Sequence, residues 1–91
     1  MSDALTRRLR EQIAERDRTI LDAVNARLRL VEELKRHKEI EGVGFVDPQQ
    51  EERLLSALET ANGGPLTAAG VRALFTEILA LTKRELRRVR S

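Results

Sequence analysis

Arg10, Arg27 and Lys38 are the residues of this chain whose type and spacing most directly suggest chemistry. All three fall in one amphipathic stretch of about forty residues, and two of them interrupt its apolar stripe. Arg27 sits among Val24, Leu28 and Val31. Lys38 follows eleven residues later, a displacement of about 20° around a helix, so the two cations share a face. A charge on such a face is costly unless it is paired. Asp22, Glu39 or Glu41 can pair with one of them, but no acid in the segment is an obvious partner for both. One reading is that the long side chains snorkel to the surface. The other is that they await an anion.

Helical geometry sharpens the second reading. Arg27 and Lys38 are expected about 16 Å apart along the axis, and inward reach of about 6 Å from each leaves a gap that fits one small dianion. Arg10 is expected about 42 Å from Lys38 on a straight helix and about 100° off the face of Arg27, so it does not join them within one chain. An antiparallel partner helix across a two-fold axis brings Arg10 of one subunit opposite Arg27 and Lys38 of the other. Two equivalent, shared sites per dimer result.

Other chemistries lack their residues. His37 is the single histidine, too few for a triad or a zinc site, and reads as an exposed helical residue. The absence of cysteine removes disulfides, thiolate nucleophiles and thiolate metal ligands together. Ser2, Ser56 and Ser91 have no nucleophile context, and the glycines lie at helix ends rather than in a phosphate-cradling loop. No metal site and no cofactor are expected. A reaction accelerated by positioning and fixed charge fits this inventory.

These residues require long helical elements to position them. Leu5, Leu9, Ile13, Ile20, Val24, Leu28, Val31 and Leu34 recur mostly at three or four, with no Gly or Pro before Glu41, which predicts one helix over about 5–41. At about 55 Å it is longer than a lone small domain can cover. Gly42-Val43-Gly44-Phe45-Val46 breaks it. Asp47 before Pro48 marks an N-cap and first helical position, with Gln50 where a capping-box partner stands, and predicts a second helix over 48–61. Asn62-Gly63-Gly64-Pro65 makes a turn and Thr67 caps a third helix. Its buried stripe is expected at Val71, Leu74, Phe75, Ile78, Leu79, Leu81, Thr82 and Leu86, with Gly70 in the first turn at modest cost. The expected fold class is all-α: three helices, one long and two shorter, in a single domain over residues 1–91.

Composition agrees. Hydrophobic content of 41% beside 35% charged residues belongs to a folded helical chain rather than a disordered one. Ninety-one residues with two aromatics, Phe45 and Phe75, build a small aliphatic core, and a homodimer buries more. Charge is uneven: residues 42–66 hold four acids against one base, whereas 67–91 hold six bases against two acids. That basic end complements the helix dipole. A net charge of +2 and few aromatics argue against nucleic-acid binding. The N-terminal residues become charged at once, with no run suited to a signal peptide or membrane span, and the expected location is cytoplasmic.

The set Leu9-Arg10-x-x-Ile13-x-x-x-Asp17, Arg27, Lys38, Asp47-Pro48-x-x-Glu51-Glu52, Asn62-x-Gly64-Pro65-Leu66 and Phe75-x-Glu77-Ile78 resembles the all-helical chorismate mutase family, the AroQ class. It spans about 9–86. The resemblance implies an intertwined homodimer of three-helix chains and an isomerase of the shikimate pathway, in aromatic amino acid biosynthesis. The reaction is an intramolecular Claisen rearrangement of chorismate to prephenate, without covalent intermediate, proton transfer or cofactor. It further implies that Arg27 and the partner subunit's Arg10 grip the substrate carboxylates and that Lys38 donates to the ether oxygen. By the same resemblance, Glu51 and the backbone near Asp47 are expected to hold the ring hydroxyl. An activating enzyme of the same pathway is a possible further partner.

Three positions depart from the family pattern. Gln50 stands where many relatives carry an arginine, so a carboxylate contact is weakened or passes to Arg53. Thr82 and Leu86 stand where relatives offer Ser and, four residues on, Gln or Glu. Thr82 keeps a donor; Leu86 has none. Losing one oxyanion-type donor costs on the order of 10²-fold in rate. On the same fold, a 4-amino-4-deoxychorismate mutase, with Glu51 facing an ammonium, and an isochorismate pyruvate lyase are rival readings, the Asp47–Glu51 segment favouring a mutase over the lyase. A degenerate, mutase-like binding or regulatory module is the non-enzyme rival.

Overall fold

In a computed structural model the described residues are 2–42, 44 and 47–90, with the side chains of Ser2, Val89 and Arg90 outside the description. Among them the structure is all-helical: α1 runs Ser2–Glu41, α2 Pro48–Ala61 and α3 Ala68–Arg90. No strand occurs among the described residues. Two compact units are distinguished, Met1–Glu33 and Leu34–Ser91.

The first unit is the N-terminal part of α1. Its helix needs no cap to be recognised, because the apolar spacing of three and four runs without a breaker. Yet Leu5, Leu9, Ile13 and Ile20 remain 47–60% exposed, so one chain leaves this stripe uncovered. Burial of each such side chain contributes about 1.5–3 kcal/mol, a large reserve for association.

The second unit contains the end of α1 with α2 and α3. Helix α1 stops at Gly42, which takes φ 74°, a left-handed conformation that glycine adopts without a Cβ penalty, while its N–H donates to the Glu39 carbonyl at 3.1 Å. Of the expected break over 42–46, Val43, Phe45 and Val46 lie outside the described residues.

Asp47 caps α2 from an extended backbone, its carboxylate accepting from the N–H groups of Gln49 at 3.1 Å and Gln50 at 3.2 Å. Asn62 closes the helix, its N–H donating to the Leu58 carbonyl at 3.1 Å. Its side chain organises the turn, with Nδ2 donating to the Leu66 carbonyl and Oδ1 accepting from the N–H of Gly64, which has φ 78°. Thr67 Oγ1 then accepts from the N–H of Gly70 at 3.0 Å to cap α3. Leu66 folds over this first turn: a Cβ on Gly70 would lie 2.8 Å from Leu66 Cδ1, so the glycine provides close approach as well as a cap partner.

Helices α2 and α3 pack together, burying Leu55, Val71, Thr82 and Leu86. Arg72 of α3 ties the outside of this pair, donating through two nitrogens to both oxygens of Glu52, at 2.9 and 3.0 Å, and through Nε to Glu59 at 2.6 Å. The expected stripe of α3 is thereby split. Leu74 and Leu81, seven residues apart and so on one face, stay 48% and 37% exposed, because α2 covers a neighbouring face.

Candidate active site

Glu51 enters the site through the cap. Its N–H donates to the Asp47 carbonyl at 3.1 Å, which fixes the first turn of α2 and aims residue 51 toward α3. There Lys83 Nζ stands 3.0 Å from Glu51 Oε2 and 3.3 Å from Oε1, with 38% and 30% of the two side chains exposed. The pair borders a cleft of about 430 Å³ between α2 and α3. Leu55, Leu79 and Ala80 form its apolar floor, and Arg84 and Arg87 stand along its α3 wall. One acid and three cations therefore line it, and the surplus of positive charge favours an anion.

Gln50, next to Glu51, gives its side-chain oxygen to Arg53, which donates through Nη2 at 2.8 Å and Nε at 3.2 Å. The guanidinium at 53 is thus held by the residue one turn earlier in α2. Thr82 and Leu86 occupy the adjoining, buried face of α3, at 7% and 3% exposure. The Thr82 hydroxyl donates to the Ile78 carbonyl at 2.7 Å. Leu86 packs as a core residue and carries no polar atom.

Of the three cations on α1, Arg10 and Arg27 belong to the first unit and Lys38 to the second. Arg10 is exposed, whereas Arg27 and Lys38 are half-buried. His37 is exposed, with Nε2 3.3 Å from Glu41 Oε1. Among the described residues no cluster of three or more His, Asp or Glu side chains is placed to hold a metal ion, and no helix is long and apolar enough to cross a membrane.

Lys83 is the site residue that the sequence does not single out. Leu79, Lys83 and Arg87 recur at four residues and share one face of α3, so the helical period identifies Lys83 as a neighbour of the cleft floor. Its pairing with a residue thirty-two positions earlier depends on how α2 and α3 cross.

A profile described as chorismate mutase type II matches residues 9–86, a span that holds every candidate site residue. None of the curated proteins compared matches the chain. Among solved structures, chorismate mutase form II from Thermus thermophilus is 34% identical with a TM-score of 0.83, covering 88% of this chain and 91% of that one. Form I from the same organism is 35% identical with a TM-score of 0.80, covering 81% of this chain and 92% of that one. This chain belongs to the chorismate mutase type II family, a family of isomerases.

Proposed function

We propose that this protein converts chorismate to prephenate as a homodimer with two shared sites. The observation that carries the reading is the family match across 9–86, which takes in Arg10, Arg27, Lys38, Asp47 and Glu51 at once. In the reaction the ether C–O bond breaks as a new C–C bond forms within the same molecule, so no proton, electron or group is exchanged with the protein. The protein's task is to hold a chair-like conformer and to steady negative charge as it grows on the departing oxygen.

Each role suits its residue. Arg27, with Arg10 of a second copy, clamps the carboxylates, since guanidinium forks match carboxylate geometry. Lys38 presents a point charge to the ether oxygen. Glu51 accepts from the ring hydroxyl at the mouth of the α2–α3 cleft, where the cap at Asp47 has aimed it. Arg53, held by Gln50, supplies the guanidinium that residue 50 lacks. Thr82 takes part only by exchanging the Ile78 carbonyl, to which its hydroxyl donates, for the substrate oxygen. With Leu86 unable to donate, the rate is expected to fall on the order of 10²-fold below that of relatives with a donor there. The exposed apolar stripe of α1 supports dimerisation, because a second copy offers the same long stripe in return.

The test is an assay of the purified protein with chorismate. Steady substrate loss with matching prephenate supports the reading. Pyruvate release from isochorismate, without prephenate formation from chorismate, identifies a lyase instead, and inertness toward both overturns the assignment.

A further inference from the structure

We propose that Lys83 is a specificity-determining residue, which tunes Glu51 to receive a neutral hydroxyl and to reject a substrate carrying an ammonium at the same ring carbon. The inference rests on the proposed function and assigns to that site a residue outside the resemblance.

Glu51 alone would favour a cation. A half-buried carboxylate accepts a hydrogen bond from a hydroxyl, but it binds an ammonium better, because there both donor and acceptor carry charge and Coulomb attraction adds to the bond. A site with an unpaired Glu51 therefore favours the amino analogue. Here the carboxylate is not alone. Lys83 Nζ reaches both of its oxygens, at 3.0 and 3.3 Å, which uses its charge and leaves lone pairs open to accept from a hydroxyl. Arg84 and Arg87 line the same cleft, so the local field opposes any further cation.

Size supports the assignment. An incoming ammonium seated against Glu51 would stand about 6 Å from the Lys83 charge, and at that distance a partly exposed pair of like charges lowers relative turnover by roughly tenfold. A hydroxyl meets no such penalty. The placement also distinguishes this role from core packing: Leu55, Val71, Thr82 and Leu86 hold α2 to α3, while Lys83 lies at the cleft with more than a third of its side chain exposed.

The experiment compares kcat/KM for chorismate and for its 4-amino-4-deoxy analogue in the wild type and in Lys83→Met, Lys83→Gln and Lys83→Arg. The ratio of the two substrates is the readout, since a general loss of folded protein lowers both values and leaves the ratio unchanged. Expected are a wild-type preference for chorismate, a fall in that preference of about tenfold or more in Lys83→Met and Lys83→Gln, and retention of it in Lys83→Arg. Variants that turn over chorismate with an unchanged ratio would overturn the inference and leave the mutase assignment intact. A wild type that prefers the amino analogue would overturn it as well, and inertness toward both substrates removes the function on which it rests.

Discussion

Lys83 of α3 and Glu51 of α2 form an ion pair of 3.0 Å across the cleft, so the acid expected to receive the substrate ring is already neutralised in the free protein. The pair joins stability and function at one point. Glu51→Ala removes the acceptor and strands a lysine among Arg84 and Arg87. We expect kcat/KM for chorismate to fall about ten- to hundredfold, the range for a hydrogen bond to a charged group, with most of the loss in KM. Steady-state kinetics on Glu51→Ala beside wild type provides the check. An unchanged KM would remove Glu51 from the ring contact.

Arg27→Ala and Lys38→Ala are expected to act on kcat. In the proposed reaction each cation faces charge that is present or develops in the rearranging molecule, and loss of one such group costs on the order of 10²- to 10³-fold. Helicity should persist, because neither residue holds α2 to α3. Turnover measured beside far-ultraviolet circular dichroism separates the two effects, and full activity in either variant would end that residue's assignment.

Much of the fold is legible because its punctuation is local. Asp47-Pro48 caps α2, Thr67 caps α3 and Gly42 ends α1, and each acts through bonds within four residues. The apolar arcs of α3 are less legible. Period alone places Leu74 and Leu81 in the same stripe as Thr82 and Leu86, and only the approach of α2 decides which is covered. The same limit applies at the site. Glu51 and Gln50 can be named from the sequence, whereas their partners Lys83 and Arg53 depend on side-chain directions and on the crossing of two helices.

Leu86 gives a stability prediction. It is among the few buried side chains of the α2–α3 pair, at 3% exposure. Leu86→Ala is expected to destabilise the protein by about 2–4 kcal/mol through lost burial and the cavity left behind. Denaturant unfolding followed by circular dichroism measures it. A loss below about 1 kcal/mol would mean that the α2–α3 interface closes around the truncated side chain and that Leu86 is not a core anchor.

The Arg72 clamp predicts a pH dependence. Hydrogen bonding from Arg72, and then its charge, lowers the pKa of Glu52 below the ordinary value of 4.5. Arg72 is itself raised, first by its hydrogen bond to Glu52 and then by that to Glu59, and stays charged throughout. Because the unfolded state binds the Glu52 proton at higher pH than the folded state does, the contribution of the clamp is complete above 4.5 and is lost as pH falls through the lowered value. Glu52→Gln cannot titrate. The gap in thermal midpoint between wild type and Glu52→Gln should therefore be constant near neutrality and close in acid. A gap that widens on acidification would contradict the assignment.

Shared sites make the most demanding prediction. If each site takes Arg10 from one subunit and Arg27 with Lys38 from the other, Arg10→Ala and Lys38→Ala homodimers each carry two broken sites. A heterodimer of the two variants concentrates both lesions in one site and leaves the other whole. Mixing them after unfolding and refolding should restore activity, up to about half that of wild type in the heterodimer fraction. The exposed stripe of Leu5, Leu9, Ile13 and Ile20 is the surface expected to hold the subunits together. Differently tagged subunits, purified sequentially, verify that heterodimers have formed. If verified heterodimers stay as inactive as their parents, Arg10 does not act across the interface.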